Sequence, residues 1–377
     1  MLVFCQADRL WVFAIRVHIY DKITTMDRFV LIDGNAILHR AFHALPPLTS
    51  RDGQVVNAVY GFFSMLLKII GDLKPQYLAV CFDKEKPTFR QQLYAGYQAQ
   101  RPKMANDLVP QIVVVHDVLQ KMGVAIFEVD GYEADDLIGT LAAKAFQRTE
   151  DRGQKTDSRK TDKSDDTEHP SSVSSAIRTQ SSVVSPLGVI VVSGDRDMLQ
   201  LVNSHVKVLA PIKGITEMIL FDEKRVEEKY GIKPSQIIDY KALVGDASDN
   251  YPGVKGIGPK TAALLLKEHG SFENMYKAIN SLPQKIAEKL ATDAEQAALA
   301  KKLATIVIDA PITLKLDECS YANFNMEGLK DEFERLGFRS LIKRLDNNSN
   351  RETNGTKETG EIEEKKEKEK NQQLGLL

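Results

Sequence analysis

The chain has 377 residues, a formal net charge of −2, 43% hydrophobic and 27% charged residues, and three well-separated cysteines, Cys5, Cys81 and Cys319. That length buries one large core, or one core with appendages. The cysteines form no CxxC pair and no zinc spacing and do not suggest a disulfide framework, so a reducing cytoplasm is the expected setting.

The apolar stretch Leu10 to Tyr20 is interrupted by Arg16 and no small-residue cleavage site follows, so no membrane span is expected. Met26-Asp27-Arg28 directly precedes the first clear strand. Residues 1–25 are read as an upstream extension, or as the product of a start codon assigned too early. Strand Phe29–Asp33 comes first. A helix over Asn57 to Leu73 carries an apolar face of Val59, Phe62, Phe63, Leu66, Leu67 and Ile70. Strand Tyr77–Asp83 follows, then a helix over Asp107 to Met122, strand Val124–Glu128, and a helix from Glu133 to about Phe146. This alternation predicts an α/β fold with a parallel sheet. Thr149 to Pro186 holds nine serines and five threonines, with no aromatic residue, and reads as a disordered insertion. Strand Val189–Val192, a short helix after Asp197 and strand Val206–Leu209 resume the pattern. Tyr251 to Gly270 looks like two short helices around a glycine-rich turn, and 271–345 reads as mainly helical. The charged run 346–377 reads as a disordered tail. The expected division is an α/β domain over 26–210, a helical region over 211–345, and a glycine-rich turn within 249–270.

Acids gather at the strand ends. Asp33 and Asp83 end two strands, and Asp195 and Asp197 follow a third. Glu133, Asp135 and Asp136 open a helix, and Asp246 and Asp249 lie in Gly245–Asn250. Strand ends of a parallel sheet share one edge, where ligands bind. Carboxylates collected there need cations. Oxygen-only ligation points to magnesium or manganese, and the chemistry such a site suits is metal-assisted phosphodiester hydrolysis. Read singly, Asp33 is also a helix cap, and Glu133 and Asp136 are also first-turn acids favoured by the helix dipole. Invoking a separate structural reason at every strand end is the weaker account of the whole set.

Two further segments carry charge towards an anion. In Pro252-Gly253-Val254-Lys255-Gly256-Ile257-Gly258-Pro259-Lys260-Thr261, the glycines Gly253, Gly256 and Gly258 permit tight turns. A helix starting near Lys260 aims N–H groups at a phosphate, with Lys255, Lys260 and Thr261 beside it. This looks like a helix-hairpin-helix clamp on the DNA backbone; a plain helix–turn–helix with a glycine cap is the other reading. Phe89–Lys103 interleaves Arg90, Arg101 and Lys103 with Tyr94 and Tyr97. It suits a single strand held by charge and stacking, or an amphipathic helix with half-buried tyrosines.

LIDGNAILHRAFHA, the strand ending CFD, FRQQLYAGYQAQRP, DGYEADDLIGTLA, VVSGDRDMLQLV, LVGDASDNYPGVKGIGPKTA and FRSLIKRL together resemble the 5′-nuclease (flap endonuclease) family. The likeness is nearest to the N-terminal 5′→3′ exonuclease domain of bacterial DNA polymerase I, and runs from about Asp27 to Leu345. It implies a PIN-like nuclease domain followed by a helix-three-turn-helix clamp. It implies a tighter metal site at Asp33, Asp83, Glu133, Asp135 and Asp195, a second at Asp197, Asp246 and Asp249, and a peripheral acid at Asp136. It also implies a helical arch over Phe89–Lys103 and a potassium ion around Gly253–Gly258. The family's arch lysine is replaced here by Gln98, which moves that role to Arg90, Arg101 or Lys103 or leaves it empty. The implied activity is 5′→3′ exonuclease and flap endonuclease cleavage with two or more Mg²⁺ or Mn²⁺ ions. Implied partners are DNA with 5′ flaps, nicks or RNA primers and a separately encoded DNA polymerase, with the chain monomeric and either a stand-alone nuclease or part of a split gene. A non-catalytic DNA-structure binder and a PIN-type ribonuclease are the competing readings.

Overall fold

The structure, a computed structural model, describes residues 27–84, 86–157, 187–214 and 217–347. Residues 1–25, positions 158–186 of the serine-rich insertion and the tail from 348 lie outside the described residues. The first half forms β1 (Asp27–Asp33), α1 (Gly34–Ala44), α2 (Asn57–Leu73), β2 (Tyr77–Cys81), α3 (Phe89–Leu93), α4 (Val109–Met122), β3 (Ala125–Phe127), α5 (Ala134–Asp157) and β4 (Leu187–Val192). Then come a 3₁₀ turn at Asp197–Leu201, β5 (Val206–Lys213), β6 (Glu217–Phe221) and α6 (Glu223–Tyr230).

The sheet order is β3-β2-β1-β4-β5-β6. β1 pairs in parallel with both β2 and β4, which accounts for its continuous apolar run: Val30, Leu31 and Ile32 are covered on both faces. Val30 and Ile32 join one core with α1, α2 and α4, while Phe29 and Leu31 join the other with α5. The expected parallel sheet holds for its first five strands. β6 is antiparallel to β5, so the sheet is mixed. That short hairpin has no long connection in which a crossover helix would show, and the sequence pattern did not reveal it.

After β1 the chain builds outward to β2 and β3, then returns to lay β4 on the other side of β1. The strand order therefore reverses between β1 and β4, where Ile32 is in register with Val192. A crevice opens at such a switch point beyond the carboxyl ends of the strands.

Two helical expectations change. α5 runs to Asp157, past the end expected near Phe146, through a stretch with Gln, Arg, Glu and Lys, which favour helix. Phe89–Lys103 is not a helical arch. It is the single turn of α3, closed by a capping box between Thr88 and Gln91, followed by turns across 94–101.

The remaining chain forms α7 (Ile237–Val244), β7 (Gly245–Asp246), β8 (Tyr251–Pro252), α8 (Pro259–His269), α9 (Phe272–Lys277), α10 (Gln284–Thr292), α11 (Ala294–Ala304), α12 (Met326–Leu336) and α13 over 339–347. Leu243, Val254, Ala262 and Leu266 continue the same apolar core as α5, so the glycine-rich turn is packed onto the sheet. No described helix is long and apolar enough to cross a membrane.

α7 ends at Gly245, with φ +78°; a Cβ there would lie 2.4 Å from Gly253 N. A Cβ on Gly253 would in turn meet Leu243 O at 2.4 Å. Two facing glycines thus let β7 and β8 pair closely, and the hairpin carries Asp246 and Asp249. Gly245→Ala is expected to cost about 1–3 kcal/mol, from the left-handed φ and the backbone clash. Urea unfolding measures this, and an unchanged midpoint would show that the hairpin tolerates a side chain.

Candidate metal and nucleic-acid site

The switch point gathers the strand-end acids. Asp33 ends β1 and uses its two oxygens differently. Oδ1 caps α1 by accepting from Ala36 N at 2.9 Å, and Oδ2 accepts from Ser193 Oγ at 2.7 Å. The capping reading of this residue is correct, and it still faces the crevice. Ser193 Oγ also accepts from Asp195 N at 3.0 Å, and Asp195 Oδ1 accepts from Asp197 N at 2.9 Å. The loop after β4 is thereby folded so that Asp195 and Asp197 both face the edge. Asp83 accepts from Asn35 Nδ2 at 2.8 Å and from Ala134 N at 2.7 Å, which fixes the start of α5 beside β2. Glu133 accepts from Thr88 Oγ1 at 2.9 Å and from the Tyr97 hydroxyl at 3.1 Å.

A second group forms where the β7–β8 hairpin meets β4. Single carboxylate oxygens of Asp197, Asp246 and Asp249 lie within 4.8 Å of one another. Three hard oxygen donors with no sulfur or imidazole partner suit a hard divalent cation. Among the described residues this triple is the acid cluster whose oxygens come that close. Asp33, Asp83, Glu133, Asp135 and Asp195 line the same edge without converging as tightly. Asp195 joins the two groups, since its charge acts on Asp33 and Asp135 on one side and on Asp246 and Asp249 on the other.

The electrostatics follow from crowding and burial. Burial pushes the Asp33 carboxyl up to about 7, with the Asp83 and Asp195 charges adding to it and the Ala36 and Ser193 hydrogen bonds opposing it. Burial likewise raises Asp83, Glu133, Asp135, Asp195 and Asp249 above the usual carboxylate range. Asp246 goes the other way: burial raises it, but Lys241 and Ser248 together bring it below that range. Lys241 on α7 forms ion pairs with both Asp197 and Asp246. Arg101 Nη2 reaches Asp249 Oδ1 at 2.6 Å. Fewer cations than carboxylates face the crevice, and a bound metal would correct that imbalance.

The segment after α3 docks on this second group. Gln98 has φ +56°, its N–H donates to Asp249 O at 2.8 Å, and its Nε2 lies 3.3 Å from Asp249 Oδ1. Asn250 Nδ2 donates to Gly96 O at 2.8 Å, and Tyr97 stacks on Tyr251. Tyr97 is only 5% exposed, so it is a packing and hydrogen-bonding residue and offers no face to a base. Tyr94 is half-buried beside it. Arg90, expected at DNA, is buried in a bidentate pair with Asp136, and Asp136 is likewise removed from the metal set. Arg101 and Lys103 remain exposed.

At the clamp, Lys255, Gly256, Gly258 and Lys260 are exposed and Thr261 is half-buried at the start of α8. Gly253 is buried against Gly245 and serves the hairpin, not a ligand. Gly256, with φ +77°, offers its carbonyl to Lys289 Nζ at 2.9 Å. Lys255 N donates to Asp293 Oδ2 at 2.7 Å, and Gln296 Nε2 donates to Gly253 O. Sequence reasoning missed Ser193, Lys241, Asn35 and Thr88. Ser193 stands between a strand end and Asp195, a signal that was there to be used. Lys241 and Thr88 carry no such signal, because only the fold brings them to the acids.

A doubly wound sheet with carboxylates crowded at its switch point, followed by a glycine-rich helix pair, defines a class of α/β domains that hold divalent cations at a sheet edge. Residues 28–156 match the family model of the 5′-3′ exonuclease N-terminal resolvase-like domain, and residues 232–327 that of the 5′-3′ exonuclease C-terminal SAM fold. A 5′-3′ exonuclease of Aquifex aeolicus is 35% identical over 321 residues, spanning 85% of this chain and 96% of that protein. DNA polymerase I of Bacillus subtilis is 38% identical over 328 residues, spanning 87% of this chain but 33% of the polymerase. The chain thus covers about a third of the length of the DNA polymerase I relatives. The bacteriophage T5 D15 protein, crystallised with metal ions, superposes with a TM-score of 0.53 at 18% identity, over 86% of this chain and 98% of that one, and shows the same fold. This chain belongs to the 5′-3′ exonuclease family.

Raised carboxyl affinities set a pH dependence. The folded, metal-free protein keeps a proton on Asp33 between 3.8 and about 7 that the unfolded chain has released. The folded state then binds more protons, so stability falls as pH rises through that window. Asp83, Glu133, Asp135, Asp195 and Asp249 act in the same direction. In chelator, the melting temperature is expected to drop between about pH 4 and pH 7, and magnesium or manganese salts to raise it more at the higher pH. A metal-free melting temperature that climbs with pH would contradict the crowding described above.

Proposed function

We propose that the protein is a metal-dependent 5′→3′ exonuclease and flap endonuclease acting on DNA, with a role in RNA primer removal and repair. The observation that carries this reading is the convergence of strand-end acids with Asp197, Asp246 and Asp249 at one crevice, beside an exposed basic turn. Family membership supports the reaction class. A binder that had lost its chemistry would not need the Asp197–Asp246–Asp249 triple kept together.

The carboxylates fit Mg²⁺ or Mn²⁺, because they are buried, oxygen-only and short of countercharge. Asp197, Asp246 and Asp249 would hold one ion, and Asp33, Asp83, Glu133, Asp135 and Asp195 would hold another. Bound divalent ions would supply Lewis acidity towards the phosphate and towards an attacking water. The protein's own part is positional. Ser193 aims Asp33 and the Asp195 loop, Asn35 aims Asp83, and Thr88 and Tyr97 aim Glu133. Arg101 is the cation best placed to meet a phosphate beside Asp249, where Gln98 brings no charge. Lys103 is exposed next to it. Lys255, Lys260 and the N-terminus of α8 suit the backbone of the duplex behind the cut.

A potassium ion at the turn has less support. The Gly253 and Val254 carbonyls each accept one hydrogen bond, from Gln296 and Ile257 N, and the Lys289 ammonium on the Gly256 carbonyl would repel a second cation there. The proposed setting is cytoplasmic, with the chain a monomer. The natural substrate would be DNA with 5′ flaps, nicks or RNA primers, left by a DNA polymerase.

Asp195→Asn keeps shape and removes one charged ligand shared by both acid groups. End-labelled flap DNA should be cut slower by orders of magnitude in magnesium, with flap binding in calcium largely kept. A variant that cuts near the wild-type rate would refute the metal assignment. Lys260→Ala should lower the salt slope of duplex binding by about 1, without altering sequence preference. An unchanged slope in a fluorescence titration would remove the clamp from the proposal.

A further inference from the structure

Among the described residues Arg90 is the largest fully buried side chain, at 1% exposure, and it lies at the root of the segment that docks on the acid site. Its guanidinium forks onto Asp136, with Nη1–Oδ2 and Nη2–Oδ1 both at 2.8 Å. Nε donates to Leu303 O at 2.9 Å and Nη2 to Thr305 O at 2.8 Å. Asp136 is fully buried, and it accepts in addition from Val307 N at 2.8 Å and from Glu133 N at 3.2 Å. One ion pair therefore ties together α3, the first turn of α5 and the chain leaving α11.

The same guanidinium faces two acids it does not bind. Nη1 stands 3.7 Å from Glu133 Oε2 and 3.8 Å from Asp135 Oδ1. At that separation a buried cation offsets much of the repulsion between the two carboxylates. It is too far to take their oxygens in hydrogen bonds; neutral donors hold them instead, the Tyr97 hydroxyl on Glu133 Oε2 at 3.1 Å and Asp136 N on Asp135 Oδ1 at 2.7 Å. A lysine could supply the charge but not the fork, because its ammonium is a point donor without the planar geometry that grips both oxygens of Asp136.

We propose that the Arg90–Asp136 pair is the positioning element of the tighter metal site. It fixes the first turn of α5 and so aims Glu133 and Asp135 without taking their oxygens itself, and it fixes the root of segment 94–103 to them. The inference rests on the metal-dependent nuclease reading, and it places Arg90 among the residues that prepare metal binding, not among those that touch DNA.

The test compares wild type with Arg90→Lys, Asp136→Asn and the double variant. Three quantities are measured: Mn²⁺ binding to the protein alone by calorimetry, single-turnover flap cleavage against magnesium concentration, and flap binding in calcium. Arg90→Lys should weaken Mn²⁺ binding and raise the half-saturating magnesium concentration by about tenfold, within the 10–100-fold range typical when groups that orient metal ligands are lost. Flap binding in calcium should stay within about twofold. Asp136→Asn should act in the same direction, and the double variant should be no worse than the poorer single one, because the two residues act as a unit. Wild-type Mn²⁺ binding and magnesium dependence in a folded Arg90→Lys protein would overturn the proposal. So would a loss confined to flap binding, which would make Arg90 a DNA contact. If both single variants fail to fold and Mn²⁺ does not restore them, the pair is a fold element only and the proposal falls. If wild type binds Mn²⁺ but cuts no flap, the nuclease reading fails, while the Mn²⁺ isotherms still decide the role of Arg90.

Discussion

Negative charge packed at one edge of a sheet is the constraint from which the rest of this molecule follows. Burying carboxylates side by side is costly unless each is hydrogen-bonded or paired. The chain meets that cost locally and incompletely. Ser193, Asn35, Thr88 and Tyr97 donate hydrogen bonds, and Arg90, Arg101 and Lys241 bring positive charge. What they leave unbalanced is the driving force for cation binding. The site is thus prepared by its own electrostatic deficit, and a fully neutralised cluster would have little affinity left for a metal.

The three internal cations divide that work by depth. Arg90 is buried and rigid, gripping Asp136 with both arms while standing off from Glu133 and Asp135. Lys241 bridges Asp197 and Asp246, on a flexible stem whose ammonium can move aside. Arg101 is half exposed on Asp249 and is the one an incoming phosphate could engage. Fixed charge lies at the back of the crevice and movable charge at its mouth. Under the proposed function, that order suits a site that exchanges protein cations for metal ions and then for the nucleic-acid backbone.

The glycine-rich region has two separate physical jobs that the sequence presents as one motif. Gly245 and Gly253 face each other so that a hairpin with strands of two residues each can close and aim Asp246 and Asp249. Gly256 and Gly258 shape the exposed turn before α8. The acid site and the basic turn therefore share a scaffold. Movement of the turn would be felt at Asp249, and through Gln98 and Asn250 at the segment that follows α3.

The sequence by itself determined the sheet, the switch-point acids and the glycine-rich turn, because each leaves a local pattern. Apolar runs ending in aspartate mark buried parallel strands, and period-3.6 faces mark α2 and α4. It also carried the family, through motifs whose order and residue types match together. It could not separate residues of like chemistry by burial. Arg90 and Arg101 lie in one basic, aromatic-rich stretch, yet one is locked inside against Asp136 and the other reaches the surface. Tyr97 reads equally as a stacking platform or as a half-buried packing residue, and the fold closes it against Tyr251 with its hydroxyl on Glu133. Asp136 reads as one more acid of a metal set, though its neighbour in sequence faces the crevice and it does not. Lys241 and Thr88 reach the acids only because α7 and the loop before α3 pack at the same edge. Tertiary structure decided these cases, because burial and partner identity depend on contacts between segments far apart in the chain, and residue type alone does not encode them.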